Sequence, residues 1–374
     1  MIKLTIVNYN TMTKQQVLFI GDLNRELPEY IEFCNKYQVI HYNLSSKQKL
    51  LSDFQNDLKN IDAIYGSWLG FMYLGGFRLE ILENCPENLK VISICSVGFD
   101  GYDGNAMKSK NIILTNVPSI GAAEPVADLV VYNTLISFRQ FNIFQNNLSL
   151  KNNHTINVRN FLERSTWDQD SGKAILSNTD GYSFGERINS RLVQSPKNHH
   201  AVILGFGNIG QTIGRKLHGL GMKVSYIKRN ELSQDEKDSL DYQPTYYSSL
   251  NDITDFCDLL VIACPATKET YHLIDENFIN SMKVPLRIIN IGRGSIINEQ
   301  HLVDGLKNGK ILFAGLDVFE NEPKVHPDLF NRDDVILTPH IGASTVENFD
   351  FTAVQAMKNI DLVLQGKEPL NRVN

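Results

Sequence analysis

Long hydrophobic runs are missing from this chain. No stretch approaches the ~20 consecutive apolar residues that a membrane helix needs, so no membrane partner is expected. Clustered positive charge is missing too. The chain has 36 Lys and Arg against 42 Asp and Glu, a net charge of -6. No basic run carries interleaved aromatics, which leaves no electrostatic footprint for nucleic acid. Cysteine is scarce: Cys34, Cys85, Cys95, Cys257 and Cys264 are odd in number, widely spaced and form no C-x-x-C pair. Neither a metal site nor a disulfide framework is therefore predicted. Cys95 and Cys264 fall in apolar, strand-like runs and are expected to be buried small hydrophobes. Residues 1–10 alternate polar and apolar side chains without the core of a signal peptide. Internal repeats and low-complexity tracts are also absent. What remains is the expectation of a cytosolic protein in a reducing compartment. Its 374 residues suffice for two domains with large cores.

The chain is organised around one turn. The apolar run Val202-Ile203-Leu204 enters Gly205-Phe206-Gly207-Asn208-Ile209-Gly210, a helix-like stretch follows over 211–218, and 221–227 reads as a second strand. In such a β-α-β unit Gly205 permits the tight turn, Gly207 lets the backbone approach a pyrophosphate, and Gly210 lets helix and strand pack closely. The helix N-terminus faces the phosphate charge. A lone G-x-G-x-x-G is weak evidence, but in this strand–turn–helix–strand setting it predicts dinucleotide binding.

Before that turn, 17–20, 38–42, 61–66, 89–95 and 112–117 read as strands, and 27–36 and 47–60 as helices. This alternation implies a parallel sheet with no phosphate loop. Residues 1–16 read as an extension or short edge strand. Ser96-Val97-Gly98-Phe99-Asp100 leaves one strand and is either a ligand loop or an ordinary exit turn. Pro125 suits the first turn of a long amphipathic helix running to about 144, with Glu124 favouring its dipole. Residues 146–200 are polar and hard to read. A helix over 158–167 and a loop or hairpin over 171–185 are expected within a surface insertion or dimer contact.

After the turn, 258–265, 287–294, 312–319 and 335–340 repeat one pattern, an apolar strand followed by a polar residue. Their tips should project at one edge of one sheet. Arg293, Glu322 and His340 sit at or just past such tips. Singly each has a bland explanation: a surface charge, a loop, a cap partner. Together they fit the reduction of a 2-keto acid beside a dinucleotide. A guanidinium fork matches a carboxylate. A histidine can give a proton to the carbonyl oxygen. A carboxylate on its second ring nitrogen would fix its tautomer.

The motifs Leu204-Gly205-Phe206-Gly207-Asn208-Ile209-Gly210, Asn290-Ile291-Gly292-Arg293-Gly294, Ala314-Gly315-Leu316-Asp317-Val318-Phe319-Glu320-Asn321-Glu322-Pro323 and Thr338-Pro339-His340-Ile341-Gly342-Ala343-Ser344-Thr345 resemble those of the D-isomer-specific 2-hydroxyacid dehydrogenases. The resemblance runs over nearly the whole chain and is clearest over 201–350. It implies an α/β fold of two Rossmann-like parallel-sheet domains, one flavodoxin-like and one dinucleotide-binding, with a cleft between them. Residues 1–122 and 343–374 would form a discontinuous substrate-binding domain. Residues 123–342 would bind the dinucleotide and carry the polar insertion at about 146–200. The resemblance makes Arg293, Glu322 and His340 the catalytic set and gives the substrate carboxylate to the backbone of Val97 and Gly98. It places Pro265, Asp317, Gly342 and Ala343 near the nicotinamide half, with Asn208, Ile209, Ile291 and Gly292 among the other cofactor neighbours. A homodimer, joined near residues 126–144, is also implied.

Two departures stand out. The 146–200 segment is longer than the family's usual connection and lacks its Gly-Lys lead into the first Rossmann strand. Second, NAD-users carry an acidic residue at the tip of the second strand, and here that place holds Lys228, followed by Arg229. A carboxylate would repel a 2′-phosphate and this pair would attract one, so NADPH is expected over NADH. The basic pair also resembles the glyoxylate and hydroxypyruvate reductase branch, implying a short 2-oxo acid substrate. Formate is disfavoured, because formate dehydrogenases of this fold carry glutamine at the position of Glu322. The rival reading is a dinucleotide-sensing interaction protein, like the corepressor relatives of the family.

Overall fold

In the computed structural model, residues 14–68, 70–177 and 179–374 are described. Of the segment 1–16, residues 1–13 lie outside them, and Gln16 opens the first strand. The chain divides into two compact units, one of residues 1–121 and 345–374, the other of residues 122–344.

The first unit runs β1 (Gln16–Ile20), α1 (Pro28–Lys36), β2 (Gln38–Tyr42), α2 (Lys47–Gln55), β3 (Ile61–Gly66), α3 (Glu80–Glu83), β4 (Val91–Ile94), α4 (Gly104–Ser109) and β5 (Ile113–Thr115). The strands pair in parallel in the order β2-β1-β3-β4-β5. Period-two alternation sends Leu18 and Ile20 to one core, with Leu50, Phe54, Ile81 and Met107, and Val17 and Phe19 to the other. Helix α2 ends at Gln55, five residues earlier than the sequence pattern predicts. The Asn56 side chain donates back to Ser52 O at 2.8 Å, and its backbone leaves helical geometry. This is the local competition that asparagine offers a helix.

Helix α5 (Ile120–Arg139) corrects another expectation. Pro125 lies inside it, not in its first turn. The helix starts five residues earlier, where Ala122 and Ala123 become buried, and Pro125 forfeits a single backbone hydrogen bond. The helix does not run on to 144. Gln140 takes a left-handed backbone (φ 51°), and α6 (Phe141–Asn147) follows as a separate element.

The 146–200 segment holds α7 (Thr155–Glu163), the antiparallel pair β6 (Thr166–Asp168) with β7 (Lys173–Ile175), and β8 (Arg187–Ile188) with β9 (Arg191–Leu192). Trp167 therefore belongs to a strand, not to the helix expected over 158–167. The segment has a small core of Ile143, Val158, Leu162, Trp167 and Ile188. Arginines seat it: Arg191 lies 4.0 Å over the Trp167 ring, and Arg332 donates to Asp170 O and Gln169 O while paired to Asp334.

The rest of the second unit is β10 (His200–Leu204), α8 (Asn208–Gly219), β11 (Lys223–Ile227), α9 (Gln234–Asp238), β12 (Thr245–Tyr247), β13 (Leu259–Ile262), α10 (Glu276–Ser281), β14 (Leu286–Asn290), α11 (Glu299–Lys307), β15 (Ile311–Leu316) and β16 (Val335–Leu337). Its seven parallel strands are ordered β12-β11-β10-β13-β14-β15-β16. Every residue of β13 is buried. Leu260 and Ile262 face the core beneath α10 and α11, while Leu259 and Val261 face the core with α5 and α8. The last helix, α12 (Val346–Leu364), belongs to the first unit and packs Ala353, Ala356 and Ile360 against its sheet.

Among the described residues no helix is long and apolar enough to cross a membrane. Cys95, Cys257 and Cys264 are buried, and all five cysteines are free.

Candidate active site

All strands of the seven-stranded sheet point one way, so β13, β14, β15 and β16 deliver their exit loops to one edge. The loop after β14 carries Arg293. Its conformation is set from beneath by Asn290, 1% exposed, whose side chain donates to Arg293 O at 2.9 Å and accepts from the Gly292 N–H at 3.0 Å. Arg293 is half-buried, and its Nη1 donates to Gly292 O at 2.8 Å. Next in the chain, Gly294 lets two loops touch. A Cβ there would stand 1.8 Å from the carbonyl carbon of Phe319.

The loop after β15 carries Glu322. Its Oε1 accepts the Phe319 N–H at 3.0 Å, and its Oε2 lies 3.1 Å from Nδ1 of His340. Burial pushes this carboxyl up. The hydrogen bonds from His340 and Phe319 and the charges of His340 and Arg293 outweigh burial and hold it below the ordinary range. The Glu322 carboxylate thus bonds His340 directly and feels the charge of Arg293.

The loop after β16 carries His340 in a left-handed conformation (φ 55°). Asp317, 3% exposed, organises that loop: Oδ1 accepts from the Thr338 hydroxyl at 2.7 Å and the Ile341 N–H at 2.9 Å, and Oδ2 from the Gly342 N–H at 2.8 Å. Asp317 therefore holds the peptide that presents His340.

The glycine turn opens α8. Gly205 has φ 97°, and a Cβ on it would meet the backbone of Cys264 at 2.6 Å. Gly210, already inside the helix, would meet Gly205 O at 2.2 Å. A Cβ on Gly207, in contrast, would meet nothing within 4 Å. Gly207 is the helix N-cap and brings no side chain to cap Asn208 and Ile209 in the first turn, which also contains no acidic residue. An open cradle at a helix N-terminus fits a pyrophosphate. Pro265 leaves β13, with its carbonyl accepting from the Thr270 hydroxyl at 2.9 Å. Ile291 and Gly292 follow β14, Gly342 and Ala343 follow β16, and Lys228 and Arg229 follow β11. Lys228 and Arg293 leave strands three positions apart, about 14 Å at the usual strand spacing. Val97 and Gly98 belong to the first unit. Their loop is tethered by Ser96 Oγ donating to Gly98 O and by Asn116 donating to Val97 O, each at 2.8 Å.

Comparisons with known proteins give the family. Residues 175–342 match the family described as D-isomer specific 2-hydroxyacid dehydrogenase, NAD binding domain. The glyoxylate reductase of Pyrococcus furiosus is 30% identical over 79% of this chain and 78% of its own length. The chain belongs to the D-isomer-specific 2-hydroxyacid dehydrogenases. Another relative, glyoxylate/hydroxypyruvate reductase A of Arabidopsis thaliana, is 29% identical over 91% of this chain and 94% of its own. Among solved structures, the holo D-mandelate dehydrogenase of Rhodotorula graminis superposes with a TM-score of 0.81 at 30% identity, covering 97% of this chain and 98% of that one.

This 2-hydroxyacid dehydrogenase also contains supports that sequence reasoning missed. Glu299 and Glu320 exchange backbone bonds: the Glu299 N–H donates to Glu320 Oε2 at 3.0 Å, and the Glu320 N–H to Glu299 Oε1 at 2.8 Å. The other oxygen of Glu320 lies 2.6 Å from Nε2 of His272. Together they clamp the loop bearing Glu322 to the start of α11. The only sequence signal was the acidic position opening α11. Nothing in the local pattern around His272 announced a partner in another loop, and nothing around Asn290 announced that its side chain braces the loop that follows it.

Proposed function

We propose that this protein is a cytosolic, NADPH-dependent reductase that converts a short 2-oxo acid, such as glyoxylate or hydroxypyruvate, to the D-2-hydroxy acid. The observation that carries the reading is the Glu322 carboxylate 3.1 Å from Nδ1 of His340, with the charge of Arg293 acting on the same carboxyl. A bound nicotinamide dinucleotide supplies hydride chemistry at this edge. Arg293 clamps the substrate carboxylate through its planar fork and polarises the carbonyl. Glu322 accepts the Nδ1–H of His340 and so orients the ring; with both ring nitrogens protonated, Nε2–H gives its proton to the carbonyl oxygen as C2 is reduced and leaves the neutral imidazole. The imidazole then takes a proton back from solvent. The resemblance adds the backbone amides of Val97 and Gly98 as further carboxylate donors. Lys228 and Arg229 at the tip of β11 support NADPH, and the names of the glyoxylate reductase relatives support the substrate class. The free cysteines suit a reducing compartment.

A homodimer is part of the same reading. Tyr132, Phe141, Leu148 and Ile156, along α5 to α7, are exposed apolar side chains of the kind an interface covers. Sedimentation at micromolar concentration should give twice the chain mass, and a monomer would remove this point.

The reading is tested by following loss of nicotinamide absorbance with NADPH and a series of 2-oxo acids. Turnover of glyoxylate or hydroxypyruvate supports it. Turnover of bulkier acids alone keeps the chemistry and replaces the substrate.

A further inference from the structure

Lys228 and Arg229 leave β11 as a cationic pair, and a carboxylate faces Lys228. Its Nζ stands 4.0 Å from Glu236 Oε1. That carboxylate is held in place. Glu236 is the third residue of α9 and closes a capping box: its Oε2 accepts the Ser233 N–H at 2.8 Å, while its own N–H donates to Ser233 Oγ at 3.3 Å. Lys228 is held as well, because the Tyr246 hydroxyl donates to its carbonyl at 3.3 Å. The Ser233 N–H and hydroxyl, more than Lys228, keep the Glu236 carboxyl below the ordinary range, so it is ionised at neutral pH.

We propose that Glu236 is a specificity-determining residue for the adenine-ribose end of the dinucleotide. Its charge competes with a 2′-phosphate for Lys228, and its free-energy effect is of the opposite sign to that of the Lys–Arg pair. When the ribose carries only hydroxyls, the same carboxylate is an acceptor for them. The chain therefore takes both NADPH and NADH, with a narrower preference than a lysine and arginine at this strand tip would set by themselves. The inference rests on the reading of the β11 tip as the ribose end.

Equilibrium titrations of protein fluorescence test it, with NADPH, NADH, adenosine 2′,5′-bisphosphate and 5′-AMP as ligands. Glu236→Gln removes the charge, and glutamine still closes a capping box, so the helix start is preserved. The variant should tighten NADPH and the bisphosphate by about two- to fivefold, the range of an exposed ion pair. It should not tighten NADH or 5′-AMP. The gain should fade between about 0.05 and 1 M salt as screening shortens to a few ångströms. Steady-state rates should place the change in the KM for NADPH. Glu231→Gln is the control, because Glu231 pairs with Lys237 at 2.6 Å, and it should change neither affinity. Equal shifts for ligands with and without the 2′-phosphate, or no shift, would overturn the proposal. A wild-type preference for NADH would instead overturn the NADPH reading, and the ratio of affinities in Glu236→Gln would still decide this one.

Discussion

Replacing Gly294 by alanine tests the way two loops share one space. The residue is not among the glycines with positive φ, so alanine suits its backbone and the effect is steric. The added Cβ would lie 1.8 Å from the Phe319 carbonyl carbon, 2.0 Å from its oxygen and 2.3 Å from the Glu320 nitrogen. The first of these falls about 1.6 Å short of the 3.4 Å at which ordinary contact begins. Every obstructing atom is backbone, so no side chain can swing aside. The loop that must move carries Glu322, which binds His340 at 3.1 Å and the Phe319 N–H at 3.0 Å. Hydrogen bonds of that length do not survive a shift of this size. Overpacking of this kind costs about 1–3 kcal/mol, which in a unit of this size lowers the melting temperature by about 3–10 °C. A misplacement of about 1 Å at the chemistry costs on the order of 10²-fold in rate. Thermal melts and kcat/KM for NADPH with a 2-oxo acid read both effects. A Gly294→Ala protein that melts within a degree of wild type and keeps kcat/KM within about threefold would refute the reasoning.

Gly207→Ala should leave the melting temperature unchanged, because its Cβ meets nothing, yet weaken dinucleotide binding by about tenfold or more, read by titration; unchanged affinity would move the pyrophosphate elsewhere. Asn290→Ala removes a buried side chain that bridges Arg293 O and the Gly292 N–H. It should cost about 1–3 kcal/mol in denaturant melts and raise the KM for the 2-oxo acid more than that for NADPH. Glu299 is buried, and burial first, then the charge of Glu320, lift its carboxyl above the ordinary range against the Glu320 N–H. The folded protein thus binds this proton more tightly than the unfolded chain, and stability falls as pH rises through the raised value. Glu299→Gln should therefore raise the melting temperature at pH 8 and not at pH 4, and an equal change at both would contradict the assignment.

The parts of the fold that the sequence made legible are those governed by short-range periodicity. The turn at Gly205 to Gly210 and the apolar strands that follow it fall where alternation and glycine chemistry put them, and their exit loops deliver Arg293, Glu322 and His340 to one sheet edge. Boundaries set by a single side chain were not legible. Asn56 stops a helix whose apolar spacing continues, Gln140 breaks another, and Pro125 sits inside a helix because neighbouring alanines are buried. Contacts between residues far apart in the chain were also hidden. The 146–200 segment looked like polar surface because Arg191 and Arg332 dock it through carbonyls, a carboxylate and a ring. The Glu299–Glu320 and His272 supports escaped notice for the same reason, each acting through a partner in another loop, whereas Asn290 bonds the backbone of the loop that follows it, a contact that no apolar spacing marks. The basic pair at Lys228 and Arg229 was visible, whereas Glu236, which faces it from α9, was not.

The central claim is that His340, held by Glu322, gives the proton in the reduction of a 2-oxo acid. The most direct measurement is the initial rate of NADPH oxidation with glyoxylate or hydroxypyruvate for wild type and His340→Ala, alongside NADPH affinity for each. Wild-type turnover should fall by about 10²–10⁴-fold in the variant while NADPH binds both proteins equally. Equal rates would remove His340 from the chemistry, and a wild-type protein that binds NADPH tightly but turns over no 2-oxo acid would point to a dinucleotide sensor instead.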